Sequence, residues 1–389
     1  MRFEAWTPCL RNAVTMRPCF SQDEYFRQAA LTVEQNIPVP MRDGTILFAD
    51  VYRPSGGGRY PVLLERLPYG KHKPRYRSFY LEPMRAVNRG YVVVLQEVRG
   101  RHVSEGEFYP YRHEADDGYD TVEWCAAQPW CDGQVGMFGI SYHGATQWLA
   151  AVTAPPALKA IAPGVTADSY FDSWTYLGGT FQSFWITDWV ASFVLDNIGR
   201  KPDRDIEAIE HLQQWRRDTY AMSDYLPLKE MPALRGLADY YYDWLEHPTY
   251  DDYWKALSPR ERFDRVTVPA LNIGGWFDGF MRGTVRCYEG VRARGATDIA
   301  RQHQHLLVGP WLHGPMPPGV AGQGYFGGGA SAEGIDLQGM QLTWFDHWLK
   351  GESNGVDTEP NTYIFVMGAN TWGSEETWPP PSAQPVTYF

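Results

Sequence analysis

Short apolar runs alternate with helical segments from residue 60 to residue 154, and this alternation constrains the fold more than any other feature. Three of the runs are typical of buried strands, and the segments between and after them are typical of helices. In chain order they are the strand Pro61–Glu65, a helix around 81–90, the strand Tyr91–Gln96, a helix over 114–127, the strand Val135–Gly139 and the helix Tyr142–Ala154. This order predicts an α/β fold with a parallel sheet covered on both faces.

The remaining segments divide the chain into four predicted parts. Alternating runs around Met41–Gly44 predict a β-hairpin. An aromatic-rich stretch interrupts the pattern, and short β runs then return at Ala270–Ile273 and His305–Val308. We predict an N-terminal extension (1–30), an α/β-hydrolase domain (31–169 and 262–351), an inserted helical cap (170–261), and a linker followed by the start of a β-sandwich (352–389).

That final part suggests that the chain is a piece of a longer protein. The sequence TYIFVMG at 362–368 and the residues 377–389 have the pattern of strands in a new all-β unit. Too few strands follow to close a sandwich. Whether the natural protein continues past Phe389 stays open.

Composition excludes several classes of protein. The 389 residues include 35 Lys and Arg against 46 Asp and Glu, which leaves no basic surplus for a nucleic-acid partner. No apolar run approaches the ~18 residues of a membrane span. The N-terminus is broken by Glu4, Arg11 and Arg17 and lacks the apolar core of a signal peptide, so we predict a cytoplasmic protein. Five cysteines without a Cys-x-x-Cys pair predict neither a disulfide framework nor a thiolate zinc site.

The strongest local motif is Gly139-Ile140-Ser141-Tyr142-His143-Gly144, which lies between a predicted strand and a predicted helix. A nucleophile elbow has this arrangement, because glycine allows a sharp turn that exposes the serine hydroxyl above the sheet. The motif departs from Gly-x-Ser-x-Gly, since His143 stands where the second glycine belongs and Gly144 comes one position later. A serine in an ordinary β–α turn is the alternative.

A serine nucleophile needs a base and a carboxylate that orients the base. In α/β-hydrolases the acid and then the histidine follow the serine, each after a strand. Asp278 follows the strand that begins at Ala270, and His313 follows the strand that begins at His305. We therefore predict the triad Ser141, Asp278 and His313. His143 is the alternative base, but its place on the helix after Ser141 should turn its ring away from that neighbour.

An oxyanion hole usually contains the backbone N–H that follows the nucleophile, which here belongs to Tyr142. A second donor should come from a loop after an early strand. Tyr69 follows the strand Pro61–Glu65 and offers its hydroxyl. A packed tyrosine in a surface turn is the alternative.

Two other motifs suggest ligands but lack the necessary context. Gly322–Gly327 spells Gly-x-Gly-x-x-Gly, yet no strand precedes it, so we predict no dinucleotide site. His303 and His305 could suggest a metal, but no carboxylate or cysteine accompanies them, and we interpret them as strand-surface residues. We expect no cofactor and no metal.

Five segments together carry a family resemblance. They are Pro68–Lys71, Arg99-Gly100 with Ser104–Phe108, Trp130–Tyr142, Gly275–Phe280 and Gly309–His313. On these motifs the chain, from about residue 31 to 389, resembles the cocaine esterase and Xaa-Pro dipeptidyl-peptidase family, to which α-amino-acid ester hydrolases and glutaryl-cephalosporin acylases are related.

The resemblance implies an α/β-hydrolase core, a helical cap and a C-terminal jelly roll that is cut off here near its start. By motif match it implies Ser141 as nucleophile, Asp278 as orienting acid and His313 as base. Tyr69 and the Tyr142 amide would form the oxyanion hole. By analogy with the family, the substrate pocket would be lined by Trp174, Phe181, Trp185 and Phe277.

These observations predict a serine hydrolase that cleaves esters or amides of small molecules or short peptides through an acyl-enzyme. A Xaa-Pro dipeptidyl-peptidase or an amino-acid ester hydrolase is the first rival. Either would need an anionic subsite, for which Asp168, Asp172 and Asp188 are the candidates. The second rival is a non-catalytic binding module on a hydrolase fold. The oligomeric state stays open, a homo-oligomer included.

Overall fold

The computed structural model describes residues 30–73, 80–200, 206–218, 225–313 and 319–387. The predicted N-terminal extension lies outside these residues apart from Ala30. Fourteen strands occur in the described part of the chain. They are β1 (Leu31–Pro40), β2 (Ile46–Pro54), β3 (Tyr60–Leu67), β4 (Val92–Glu97), β5 (Cys131–Ile140), β6 (Leu158–Gly164), β7 (Tyr176–Leu177), β8 (Thr180–Phe181), β9 (Ala270–Phe277), β10 (Gln304–Leu312), β11 (Val320–Ala321), β12 (Gly324–Tyr325), β13 (Thr362–Val366) and β14 (Thr371–Glu375).

Ten of these strands form one mixed sheet in the order β1-β2-β4-β3-β5-β6-β9-β10-β13-β14. The strands from β4 to β13 in that order run parallel, while β1 and β2 at one edge and β14 at the other pair antiparallel. All six residues of β4 are buried, because a parallel strand is covered on both faces. The predicted parallel sheet is therefore confirmed, and it also contains β6, which the sequence analysis did not identify.

Ten α-helices are described as well. They are α1 (Pro83–Asn88), α2 (Glu114–Ala126), α3 (Tyr142–Ala151), α4 (Ser183–Asn197), α5 (Ile206–Arg217), α6 (Tyr240–Glu246), α7 (Asp252–Leu257), α8 (Met281–Arg294), α9 (Asp298–Gln302) and α10 (Leu337–Lys350). Each of them is too short or too polar to cross a bilayer.

The helices cover the sheet from both sides. Alternate strand residues point to opposite faces, so Leu63 and Val93 pack into one apolar cluster while Val62 and Val92 pack into another. The first cluster includes residues of α1 and α10, and the second includes residues of α2, α3, α8 and α9. A sheet between two helical layers is the predicted α/β class, which is confirmed.

Residues 170–261, between β6 and β9, contain α4 to α7 and a small hairpin. Gly178 and Gly179 join β7 to β8 with φ angles of 59° and 86°, which a two-residue hairpin turn requires and glycine adopts without strain. Apolar side chains of this segment pack with Tyr142 and Leu149 of α3 in a third cluster. The segment therefore lies against the helix that begins at the predicted nucleophile.

The strands β13 and β14, near the C-terminus, belong to the main sheet and not to the separate β unit that was predicted. The TYIFVMG segment was expected to open a separate β unit, but β13 pairs parallel with β10, and β14 pairs with β13. Phe365 and Trp372 are buried in the cluster that contains α10. The alternation along a strand shows which residues are buried but not which strand is its partner, so the start of a β-sandwich was wrongly assigned to these residues.

Candidate active site

Ser141 occupies a strained turn between β5 and α3. Its φ of 58° and ψ of −122° are uncommon for a residue with a side chain. Two hydrogen bonds hold the turn: the Ser141 amide donates to the Gly164 carbonyl at 2.9 Å, and the Thr166 hydroxyl donates to the Ser141 carbonyl at 2.9 Å. This is the geometry of a nucleophile elbow, in which neighbouring elements enforce an unfavourable backbone conformation.

The late glycine of the motif has a packing role. A Cβ atom on Gly144 would lie 2.8 Å from Cβ of Thr166 and 3.0 Å from the Gly164 carbonyl oxygen. Helix α3 can therefore approach β6 only if position 144 carries no side chain. Position 143 has room for a histidine, which explains how the chain departs from Gly-x-Ser-x-Gly and still forms the turn.

The three predicted triad residues lie together at the carboxyl ends of their strands. The His313 Nε2 atom is 3.0 Å from the Ser141 Oγ atom, and His313 Nδ1 is 2.6 Å from Oδ2 of Asp278. The other Asp278 oxygen accepts the Phe280 amide at 2.6 Å, and the carboxylate is fully buried. A carboxylate held in this way fixes the imidazole tautomer, because only Nδ1–H can donate to it.

The two predicted oxyanion donors come from different elements. Tyr69 lies two residues after β3, and its hydroxyl oxygen accepts a hydrogen bond from the Trp189 indole N–H at 3.3 Å. The Tyr142 amide is the first N–H of α3, where the helix leaves backbone donors without intrahelical acceptors. Trp189 was not identified from the sequence, because its link to Tyr69 spans 120 positions.

The Tyr142 side chain anchors the helix instead of reaching the hole. Its hydroxyl donates to Glu114 Oε1 at 2.9 Å and accepts the Tyr111 amide at 3.0 Å. Burial raises the pKa of this phenol well above its ordinary value, so it stays a donor. The predicted contribution of Tyr142 to the oxyanion hole therefore involves only its backbone.

Aromatic rings connect the helical segment to the triad. Phe280 lies 4.9 Å from the His313 ring and stacks on Trp174 at 4.3 Å, and Trp174 contacts Trp185 at 5.5 Å. Trp174 and Trp185, two predicted wall residues, thus adjoin the base through Phe280. Phe280 itself was missed, although it lies only two residues after Asp278.

The other two predicted wall residues have different surroundings. Phe181 contacts Tyr176 and Tyr241 within residues 170–261, and neither ring contact joins it to the triad. Phe277, at the end of β9, is 44% exposed and lies 5.9 Å from Phe326. The contacts of the described residues therefore favour Trp174 and Trp185 as wall residues over this second pair.

A cavity of about 280 Å³ lies beside the oxyanion side of the site. Its lining includes Arg101, Phe108, Phe193 and Tyr240, but no triad residue. The Phe193 ring is 5.2 Å from the Tyr69 ring, so one wall of the cavity supports the predicted oxyanion donor.

The three acidic candidates for an ammonium subsite are all paired with arginine. Asp172 accepts hydrogen bonds from Arg260 at 2.8 Å and from Arg286 at 2.9 Å. Burial opposes its ionisation, but these arginines outweigh that effect and lower its pKa.

The other two carboxylates are occupied in the same way. Asp168 is buried, accepts the Ser173 hydroxyl at 2.6 Å and lies 3.6 Å from Arg260. Asp188 pairs with Arg216 at 3.1 Å. Each of the three carboxylates therefore has an arginine within 3.6 Å, and Asp168 and Asp172 share Arg260.

His143, the alternative base, faces another carboxylate. Its Nδ1 atom is 2.6 Å from Oε1 of Glu65 on β3, and both side chains are 4% exposed. Glu65 was not singled out, although a charged residue within the apolar run PVLLE is a signal of a buried partner.

The donor groups that could hold a metal lie elsewhere. In the described ranges, one set of three, His72, Glu97 and His102, has ligand atoms within 4.8 Å of one another. Lys71 Nζ lies 3.3 Å from the Glu97 carboxylate, and this positive charge competes with a divalent cation for that ligand.

Both His303 and His305 were predicted to be strand-surface residues, and the prediction fails for His305. His305 is 5% exposed, so its description as a strand-surface residue was wrong. Its ring packs 5.1 Å from Trp344, because α10 covers this part of β10.

A known protein family matches most of the chain. Residues 43–315 match the model of the X-Pro dipeptidyl-peptidase (S15) family, which is more than half of the chain. The chain belongs to this family. Among similar proteins, the cocaine esterase of Rhodococcus sp. (strain MB1 Bresler) is 35% identical over 364 residues, covering 92% of this chain and 62% of that protein. The chain thus spans less than two thirds of the length of the relatives that it matches.

Solved structures support the fold of this S15 member. An aminopeptidase from a marine sediment archaeon, Thaumarchaeota archaeon, superimposes with a TM-score of 0.71 at 23% identity, covering 91% of this chain and 60% of that chain. A CocE/NonD family hydrolase from Staphylococcus aureus gives a TM-score of 0.66 at 22% identity, covering 93% and 61%. At these identities the likeness establishes the α/β-hydrolase fold alone.

Proposed function

We propose that this chain is a serine hydrolase that cleaves carboxylic esters of small molecules through an acyl-enzyme intermediate. The observation that carries the proposal is the continuous line from Ser141 Oγ through the His313 ring to the buried Asp278 carboxylate. A nucleophile, a base and an orienting acid in hydrogen-bond contact are the minimal set for acyl transfer.

In the first half of the reaction, Ser141 Oγ bonds to the carbonyl carbon while its proton passes to His313 Nε2. The carbonyl oxygen becomes an oxyanion, which the Tyr69 hydroxyl and the Tyr142 amide stabilise by donating hydrogen bonds. The carbonyl reforms as the bond to the alcohol breaks, and the alcohol takes the proton from His313. Asp278 stabilises the intermediate imidazolium.

In the second half, a water molecule gives a proton to His313 Nε2 and bonds to the acyl carbon. The second tetrahedral intermediate breaks its bond to Ser141, which recovers the proton from His313. The products are a carboxylic acid and the free enzyme, so the cycle needs no redox partner. The exposed fraction of the His313 side chain, 31%, is consistent with access for this water.

The charges around the site favour esters with an uncharged acyl group over substrates with a free α-ammonium group. An Xaa-Pro dipeptide or an amino-acid ester needs an unpaired carboxylate near the nucleophile. Asp168, Asp172 and Asp188 were the candidates, and each is paired with an arginine. The aromatic wall formed by Trp174, Trp185 and Phe280 is suited to an apolar group.

The test is a comparison of two substrates. We expect the chain to hydrolyse a p-nitrophenyl acyl ester faster than a Gly-Pro or Ala-Pro anilide, and Ser141→Ala to lose both activities. Preference for the dipeptidyl anilides would contradict the assigned substrate class. Equal ester hydrolysis by the wild type and Ser141→Ala would contradict the mechanism and favour a non-catalytic binding module.

A further inference from the structure

The Glu65–His143 pair is a buried histidine–carboxylate pair that the proposed reaction does not use. The Nδ1–Oε1 distance is 2.6 Å, and each side chain is 4% exposed. A carboxylate only accepts hydrogen bonds, so Nδ1 of His143 carries the hydrogen. Short hydrogen bonds that involve an ionised group are among the strongest in proteins and are strongly directional in a buried setting.

The pair joins the two elements that supply the oxyanion donors. Glu65 lies on β3, four positions before Tyr69, while His143 lies on α3, next to Tyr142. The donors themselves come from separate chain segments, so their relative position depends on contacts between β3 and α3. The Glu65–His143 hydrogen bond is such a contact, and it spans 78 positions of sequence.

The pair also touches the groups on both sides of the hole. The His143 ring lies 5.4 Å from the Tyr69 ring, at an angle of 37°. On the other side, a Cβ on Gly139 would lie 2.8 Å from Glu65 Oε1 and 2.6 Å from Cβ of His143. Gly139 has a φ of 123°, so the pair packs tightly against the backbone that begins the elbow.

We propose that Glu65 and His143 are positioning residues that hold the Tyr69 hydroxyl and the Tyr142 amide at the spacing required by an oxyanion. The inference rests on the proposed function. A donor must lie within hydrogen-bond distance of the oxyanion, and its contribution falls steeply when it is displaced. Loss of the pair should therefore slow the chemical step more than it weakens substrate binding.

The first test is His143→Leu, which keeps the approximate volume and removes the bond to Glu65. We expect kcat with a p-nitrophenyl ester to fall about 10- to 100-fold, with KM changed less than about 3-fold. His143→Gln, whose amide N–H can still donate to Glu65, should recover part of the loss. An unchanged kcat for His143→Leu would overturn the proposal.

A double-mutant cycle separates positioning from general destabilisation. In a Tyr69→Phe background one of the two positioned donors is already absent, so the loss of kcat caused by His143→Leu should be smaller than in the wild type, and the remainder should reflect the Tyr142 amide. Equal losses in both backgrounds would show that the pair does not act through Tyr69. Tyr91→Phe is the matched control, because it removes a buried 2.7 Å hydrogen bond to Asp346 just before the amino end of β4, whereas the site lies at the carboxyl ends of the parallel strands, and kcat should stay within about 3-fold.

The outcomes also separate this inference from the proposed function. An active wild type, an inactive Ser141→Ala and an unaffected His143→Leu would overturn only the positioning role. Activity that survives Ser141→Ala would overturn both. Proton NMR supplies a readout without catalysis: we expect far-downfield imidazole N–H signals, one of which is lost in Glu65→Leu and another in Asp278→Ala, while Ser141→Ala keeps both. Retention of every signal in Glu65→Leu would contradict the assigned bond.

Discussion

Two imidazoles in the described part of the chain are bonded through Nδ1 to buried carboxylates at the same distance of 2.6 Å, yet their surroundings differ. His313, held by Asp278, is 31% exposed, and its Nε2 atom lies 3.0 Å from Ser141 Oγ. His143, held by Glu65, is 4% exposed and follows Ser141 on α3. A base that passes protons to a leaving group and from water needs an accessible nitrogen. The buried pair is suited to holding two elements in register.

A histidine–carboxylate bond therefore does not by itself identify a catalytic base. Both histidines lie near the serine in space, and His143 lies nearer in sequence. The deciding features are the second ring nitrogen and its access to Ser141. Substitutions that affect one pair and spare the other therefore test whether the two pairs have different roles.

The largest effect should come from Asp278→Asn. An asparagine amide can donate to His313 Nδ1 and so favours the tautomer that cannot accept the serine proton. We expect kcat for ester hydrolysis to fall about 10⁴-fold, measured by steady-state kinetics with the fold checked by circular dichroism. A loss no greater than that of Glu65→Gln would erase the distinction between the two pairs.

Tyr69→Phe should have the next largest effect, because it removes an oxyanion donor and leaves both histidine pairs intact. We expect kcat to fall about 10²- to 10³-fold, with a smaller change in KM. Steady-state kinetics on the same ester measures it. If the rate is unchanged, Tyr69 has no part in the oxyanion hole, and the proposed spacing of two donors by the buried pair is wrong.

Trp189→Phe tests the contribution of helix α4 to the oxyanion hole. The variant keeps an aromatic ring but loses the N–H that donates to the Tyr69 hydroxyl at 3.3 Å. Since one neutral hydrogen bond is involved, we expect kcat to fall about 3- to 10-fold. Trp254→Phe is the control, because it removes an indole hydrogen bond to the His247 carbonyl within residues 170–261, and a similar loss there would assign the effect to altered ring packing.

His305 extends the comparison to a histidine for which the described residues offer no hydrogen-bond partner at Nε2. Burial, aided by the neighbouring His303, lowers its pKa to about 3. In the unfolded chain the His305 imidazole has the ordinary pKa of about 6.5, so between pH 6.5 and pH 3 the unfolded state binds more protons than the folded state. The free energy of unfolding should therefore fall as the pH falls from about 6.5 towards 3.

His305→Phe should reduce that fall. Urea unfolding of the wild type and the variant at pH 7 and pH 5 measures the difference between their pH dependences. The same dependence in both proteins would show that His305 is not a source of acid sensitivity.

Much of the core could be predicted from sequence because its signals are local. The buried strands Tyr60–Leu67 and Val92–Glu97 appear as apolar runs, and helix Glu114–Ala126 lies within a residue of its predicted end. The three proposed triad residues could be named because each follows a strand in the α/β-hydrolase order. Local periodicity and motif order therefore suffice to predict this part of the fold.

Features that depend on pairing between distant segments could not be predicted. Thr362–Val366 was expected in a new unit, yet it joins the sheet beside β10. The partners Glu65 and His143 lie 78 positions apart, and the arginines that neutralise Asp172 lie 88 and 114 positions from it. Such contacts follow from the folded topology, which local periodicity does not specify.

The most direct test of the central claim is covalent labelling of the folded chain with a fluorophosphonate, followed by peptide mapping. A serine activated by His313 should be phosphonylated, so we expect one adduct, on Ser141, that is lost in Ser141→Ala and greatly slowed in Asp278→Asn. It should still form in Glu65→Gln. Absence of an adduct on the folded wild type, or its formation on another residue, would contradict the assignment of Ser141 as the nucleophile activated by His313.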